Sequence, residues 1–367
     1  MGYKAFKNID GVFFGLIFAI SCISFFILSS SGYDPDQTRN AVFEKQLLYV
    51  AVSCGIFLIC TFIKPSFWRY WSYFIYLVGC ILLVMVILIG HEGKGAQRWL
   101  DLGHFKIQPS EVMKIGLILA LGRFLSREDA PKKGYGLKEL ILPGIIIGIP
   151  SALIFMQPDL GTALMFIFIS GSMLLFVGIK KKALLIMLFL LVTVCGVAWE
   201  SSLIKDYQKD RVINFMNPDN DPRGKGYHAI QSKIAVGSGG VFGKGYRQGT
   251  QTQLRYLPEQ NTDFVFSVLA EEHGFMASFV LLSLYLLLIF RIFFIAARSD
   301  RFSAFVAFGM AAYVFWQAYI NIGMVIGILP VVGITLPLVS YGGTSVISFY
   351  VSLGIVSGMA FRRTVFR

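Results

Sequence analysis

Ten apolar runs, each close to the length a helix needs to cross a bilayer, rule out most folds before any motif is read. They lie at about 11–30, 46–63, 67–90, 110–125, 139–157, 160–179, 183–200, 264–290, 304–328 and 340–361. A hydrocarbon core about 30 Å thick takes about 20 apolar residues of helix. No water reaches the backbone there, so helices must satisfy their own N–H and C=O groups. Composition agrees with this reading. Hydrophobic residues make up 56% and charged residues 15% of the 367, and mean hydropathy is +0.67; soluble domains carry about 25% charged residues. The expected fold is all-α: one polytopic membrane domain over 1–367, with about ten transmembrane helices. A large extracytoplasmic loop, 201–263, is expected between the seventh and eighth. Lys4 and Lys7, an apolar run and "SSSGY" imitate a signal peptide, but no A-x-A site follows, so the first run is expected to be a retained span.

Orientation follows from Lys and Arg, which concentrate in cytoplasmic connections. With the N-terminus inside, the inner connections hold Lys4 and Lys7, then Lys64 and Arg69, then Arg123, Arg127, Lys132, Lys133 and Lys138. They continue with Lys180, Lys181 and Lys182, then Arg291, Arg298 and Arg301, then Arg362, Arg363 and Arg367. The short outer loops hold only Arg39, Lys45, Lys94, Arg98 and Lys106. Both termini are therefore expected in the cytoplasm. This topology also accounts for the net charge of +12 without a nucleic-acid partner. Cys22, Cys54, Cys60, Cys80 and Cys195 sit in apolar runs with no CxxC pair and read as buried thiols. The four histidines show no HExxH spacing.

A connection of some 60 residues is either functional or disordered. Residues 201–263 carry apolar side chains at intervals, which argues for order. Gly237, Gly239, Gly240, Gly243, Gly245 and Gly249 are interleaved with Arg211, Arg223, Lys225, Lys233, Lys244, Arg247 and Arg255. Glycine-rich backbone approaches anions closely. A phosphate-bearing ligand fits this loop, and so does a tight-turned surface loop near anionic headgroups.

Nucleotide motifs are absent: Gly243-Lys244 is followed by Gly245 and Gly93-Lys94 by Gly95, so neither completes a P-loop. The D-x-D triplets Asp34/Asp36 and Asp219/Asp221 stand beside prolines and read as turn acids. In "QPSEVMK", Pro109 and Ser110 start a helix, and Glu111 and Lys114, three apart, share a face near its outer end. Two opposite charges there read either as a structural pair or, as intramembrane charges more often do, as groups facing a polar cavity that serve function. Glu111 is a candidate to bind a cation or orient a base, and Lys114 to hold a phosphate. Asp159 in "QPDLGT" reads as a turn acid, and its place on the expected outer face, level with Glu111, keeps it a candidate for substrate binding. Glu271 and Glu272 in "AEEHG" either lie above the hydrocarbon or line a polar groove. "LPVVGITLPLVSYGGTS" (329–345) has two prolines and three glycines in an apolar stretch, which predicts a re-entrant outer segment. Its Ser340, Thr344 and Ser345 are candidate caps or ligand contacts. Finally, Asp263 stands just before the eighth run. An acid there caps a helix against its positive dipole end. The same dipole favours the ionised form a general base requires. The residues themselves leave both roles open.

Six stretches carry a resemblance: "GAQRWLDLG", "QPSEVMKIG", "QPDLGTAL", "DPRGKGYHAIQSKIAVGSGGVFGKG", "LPEQNTDFVFSVLAEEHG" and "LPLVSYGGTS". Together they resemble the SEDS (shape, elongation, division and sporulation) family over nearly the whole chain. The "GSGGVFGKG" loop and short tails look more like its elongation branch than its division branch. The resemblance implies ten transmembrane helices in the bacterial cytoplasmic membrane. It implies a peptidoglycan glycosyltransferase that polymerises lipid II on the outer face and releases undecaprenyl pyrophosphate. It also implies a class B penicillin-binding protein as transpeptidase partner. The family's essential acid falls on Asp263, its Glu and Lys on Glu111 and Lys114, and its "QPDLG" acid on Asp159.

On that resemblance, Asp263 is expected to take a proton from the acceptor hydroxyl. The departing diphosphate is already anionic and needs only neutralisation, which Arg98, Lys114, Arg211, Arg223, Lys233 or a divalent cation can supply. No cofactor is otherwise expected. Two other classes also fit ten helices with internal charges: a flippase for lipid-linked cell-wall precursors, and a non-enzymatic scaffold. Gathering of the candidate acids on the outer side favours the polymerase.

Overall fold

The computed structural model describes residues 10–33, 40–93, 96–101, 103, 106–131, 134–200, 209, 213, 215–216, 225–257 and 259–365. Among the described residues, ten long helices answer the ten apolar runs. They are α1 (Gly11–Ser31), α2 (Ala41–Phe62), α3 (Pro65–Ile89), α4 (Pro109–Leu125), α5 (Ile141–Met156), α6 (Leu160–Val177) and α7 (Lys181–Glu200), then α10 (Val265–Ala296), α11 (Arg301–Val325) and α12 (Gly343–Val365). Within the same described residues, seven of them are long and apolar enough to cross a membrane. Between α3 and α4 lies a small antiparallel sheet, β1 (His91–Gly93), β2 (Ala96–Asp101) and β3 (Lys106–Ile107), in that spatial order. The connection between α7 and α10 contributes α8 (Lys225–Ser238) and the single turn α9 (Thr250–Gln253).

Helix starts follow local chemistry. Asp10 accepts from the Phe13 N–H (3.1 Å) and Asn40 from the Phe43 N–H (3.0 Å), capping α1 and α2. Pro65 and Pro109 occupy first-turn positions of α3 and α4, where a missing N–H costs nothing. Asp300 caps α11 through Ser303.

The bundle is not a ring of equivalent spans. Helix α4 is buried almost throughout and packs against α3, α5, α6, α11 and α12. Its 17 residues span about 25 Å at 1.5 Å each, less than a hydrocarbon core. Its first turns, with Glu111 and Lys114, are buried inside the protein. Helix α12 packs along α2. A Cβ on Gly354 or Gly358 would press on the α2 backbone at Phe57 and Thr61, so small residues set that close approach.

Helix α10 is broken. Gly274 takes φ +68°, ψ −163°, a conformation that disfavours any side chain. The break strands carbonyls on one side and N–H groups on the other. The loop after α8 collects all four: the N–H groups of Lys244 and Gly245 donate to the carbonyls of Glu271 (3.0 Å) and Glu272 (2.9 Å). The N–H groups of Phe275 and Met276 donate to the carbonyls of Gly240 (2.9 Å) and Val241 (3.1 Å).

This corrects the phosphate reading of the glycine-rich loop. Its glycines admit the backbone of α10: a Cβ on Gly239 would meet the Ala270 carbonyl, and one on Gly243 the Glu272 carbonyl. Its N–H groups at 243, 244 and 245 are taken by protein carbonyls.

Candidate active site

Segment 326–342 is the irregular connection expected from its prolines and glycines, and side chains from four helices brace it. The Ser24 hydroxyl of α1 donates to the Val339 carbonyl (2.7 Å) and the Gln46 amide of α2 to the Ser340 carbonyl (3.3 Å). The Tyr285 hydroxyl of α10 donates to the Pro337 carbonyl, and Asn321 of α11 to the Ile334 carbonyl (2.6 Å). Backbone polar groups at membrane depth thus find protein partners. The three hydroxyls singled out in the sequence are braces too. Ser340 receives the Leu336 N–H and donates to the Thr262 carbonyl; Ser345 exchanges a bond with Thr335 (3.0 Å); Thr344 donates to the Lys106 carbonyl (3.0 Å).

Three of the candidate groups close on this segment. Glu111 and Lys114 form a buried ion pair of 2.8 Å. The Tyr313 hydroxyl donates to the other Glu111 oxygen (2.8 Å), and Lys114 donates to the Gln317 Oε1 (2.9 Å). The Gln317 amide continues to Thr335 (3.0 Å), on the irregular segment itself. Lys114 also lies 4.7 Å from the centre of the Tyr313 ring. Its three donor directions are largely spent inside the bundle, so in this conformation it is not open to a diphosphate.

Asp159 caps α6, accepting from the Thr162 N–H (3.3 Å) and hydroxyl (2.8 Å). Arg98, carried by β2, pairs with it at 3.5 Å and donates to the Pro158 carbonyl (2.9 Å). The next turn of α6 abuts the segment, for a Cβ on Gly161 would touch Val332 and Ile334. Asp159 is thus a helix cap and ion-pair partner at the rim.

Asp263 lies on the turn 259–264. It is not the α10 cap: that position is Phe264, and no side chain caps the helix. Three successive carbonyls of this turn are bonded to the far side of the site. The Tyr341 N–H donates to Asn261 (2.8 Å), the Ser340 hydroxyl to Thr262 and the Asn321 amide to Asp263 (2.8 Å). The Asp263 Oδ2 lies over Gly333, 3.3 Å from where a Cβ there would stand. Asp263 is half-buried.

The remaining candidates divide. Lys233, on the exposed side of α8, drapes its stem over Gly327, just past the C-terminal end of α11. Arg211 and Arg223, like both D-x-D triplets, lie outside the described residues. Glu271 and Glu272 follow neither expectation, because both turn into the protein. Glu271 pairs with Lys244 (2.8 Å) and accepts from the N–H groups of Gln251 and Thr252, anchoring α9; Glu272 accepts from Ser30 (2.6 Å). Among the described residues no three His, Cys, Asp or Glu side chains gather as a metal site. Sequence reasoning missed Tyr313, Gln317 and Asn321. The signal was available: two amides four residues apart in an apolar helix lie on one face, and polar groups in such helices mark contacts.

Comparisons with known proteins bear on this geometry. The FtsW/RodA/SpoVE cell cycle proteins share a sequence pattern that matches residues 9–364. The peptidoglycan glycosyltransferase MrdB of Escherichia coli K12 is 42% identical over 332 residues, covering 90% of this chain and 87% of that protein. The protein of the same name from Helicobacter pylori is 34% identical over 368 residues, covering 99% and 93%. Among solved structures, a chain of a peptidoglycan synthase complex that coordinates polymerization and crosslinking superposes with a TM-score of 0.81 at 32% identity, over 97% of this chain and 98% of that one. The rod-shape-determining protein RodA of Thermus thermophilus superposes with 0.72 at 28% identity, over 97% of each.

Proposed function

The chain belongs to the FtsW/RodA/SpoVE family of cell cycle proteins, and from that premise we propose how its outer mouth works. It is an integral membrane protein and a peptidoglycan glycosyltransferase. Its donor is lipid II, used on the outer face of the bacterial cytoplasmic membrane during elongation. Its partner is a class B penicillin-binding protein; the relative that superposes with a TM-score of 0.81 belongs to a complex joining polymerization to crosslinking.

Asp263 acts as the general base. Its carboxylate takes the proton of the acceptor sugar's 4-hydroxyl as that oxygen attacks the donor's anomeric carbon. The bond from that carbon to the diphosphate breaks with inversion, and the lipid diphosphate leaves as an anion. A single base suffices because the leaving group needs no proton, unlike the paired carboxylates of glycosidases. Arg98 and Lys233, at the rim, together with Arg211 and Arg223, neutralise the diphosphate, with or without a divalent cation. Glu111 and Lys114 hold the floor beneath them. One observation supports this reading: the turn bearing Asp263, the Glu111–Lys114 pair and the Asp159–Arg98 pair all close on the same irregular segment.

Polymerisation of labelled lipid II by purified protein with its partner tests it. Asp263→Asn and Asp263→Ala should lower the rate by about 10²–10⁴-fold, the worth of a placed base. Wild-type chain lengths from either variant end the assignment. EDTA in the wild-type reaction separates cation-assisted from arginine- and lysine-assisted departure.

A further inference from the structure

We propose that Asn321, on α11, is the positioning residue for Asp263; this rests on Asp263 being the base. Asn321 is fully buried, and its amide donates twice, to the Asp263 carbonyl (2.8 Å) and the Ile334 carbonyl (2.6 Å). The two acceptors fix the orientation, because an amide oxygen facing two carbonyls would repel both. Neither carbonyl belongs to a helix ladder or a strand. One side chain therefore pins the base's own residue to the segment that closes the site.

Its neighbour in space strengthens the point. Gln317 stands one turn earlier on the same face and joins Lys114 to Thr335, the residue after Ile334. Two consecutive turns of α11 thus tie the turn of Asp263 and the Glu111–Lys114 pair to residues 334 and 335. Of the three bonds that hold the carbonyls at 261, 262 and 263, only that of Asn321 acts at Asp263 itself. The carboxylate oxygen lies over Gly333, where the chain has φ +76°, so a shift of this short segment carries the floor of the base with it.

The experiment uses full-length protein with its partner synthase and labelled lipid II. Asn321→Leu keeps the volume and removes both donors. It is expected to lower kcat at least about tenfold while leaving the KM for lipid II within about twofold, since small displacements of a reacting group cost rate and not affinity. Asn321→Gln restores an amide on a longer stem and should recover most of that kcat. Should Asn321→Leu fail to fold, Asn321→Ser, with one donor, is read for the same split. Asp263→Asn is assayed alongside. An active Asp263→Asn removes the base and this proposal with it. An inactive Asp263→Asn beside an Asn321→Leu of near wild-type kcat overturns the proposal alone. So does a parallel change in kcat and KM, or an equal loss in the Leu and Gln variants.

Discussion

Glu111 and Lys114 are each held inside the bundle by more than the other. Tyr313 donates to the second Glu111 oxygen, and the Gln317 Oε1 accepts a second hydrogen bond from Lys114. Removing one partner of a buried pair leaves an uncompensated charge, which costs about 3–5 kcal/mol. Lys114→Met should therefore lower stability by that amount, measured by thermal unfolding in detergent. The double variant Glu111→Gln/Lys114→Met should recover most of it, because no charge is then stranded. Its polymerisation rate should remain low if the charges serve the reaction. A stable and fully active double variant would make the pair purely structural. At this scale the sequence showed which acids and bases to examine, since charges in apolar runs are conspicuous. It hid what they touch: Tyr313, Gln317 and Asn321 come from a distant helix, and no local spacing joins them to Glu111 or Asp263.

Among the elements, α10 carries the largest departure from expectation. Its apolar run reads as one helix, and the "AEEHG" acids read as groups needing solvent or a groove. The break at Gly274 explains both: it opens the backbone for the loop at 239–245, and that loop brings Lys244 and α9 to Glu271. A glycine signals such a break only weakly, and its partner loop lies some 30 residues upstream. The loop's glycines therefore divide by role. Gly274→Ala and Gly243→Ala place a side chain at positive φ against neighbouring backbone, and each should cost at least about 1–3 kcal/mol. Gly237, within α8, has nothing within 4 Å of where a methyl group would stand, so Gly237→Ala should be neutral or stabilise by up to about 1 kcal/mol. Thermal unfolding of the three variants checks this. Equal behaviour of Gly237→Ala and Gly243→Ala would undo the distinction between clamp and helix glycine.

At the scale of the whole molecule, the ten runs marked out the helices, with ends displaced by up to six residues (46–63 against Ala41–Phe62, 264–290 against Val265–Ala296), because a hydrocarbon solvent leaves few options for a backbone. Depth was less legible. The apolar run marks α4 as one more helix, whereas its burial places a polar pair inside the bundle. Orientation governs the function, because an outer-face enzyme needs Asp263 and the 225–263 region outside. Reactivity of introduced cysteines decides it in a background lacking Cys22, Cys54, Cys60, Cys80 and Cys195. Leu254, just after α9, and Leu137, between α4 and α5, are both exposed. Leu254→Cys should react with a membrane-impermeant maleimide in intact cells. Leu137→Cys should react only after permeabilisation, because its connection holds Arg123, Arg127, Lys132, Lys133 and Lys138, and such Lys/Arg clusters favour the cytoplasmic side. The reverse pattern would put the base, its brace on α11 and the irregular segment all on the cytoplasmic side, away from the wall being built.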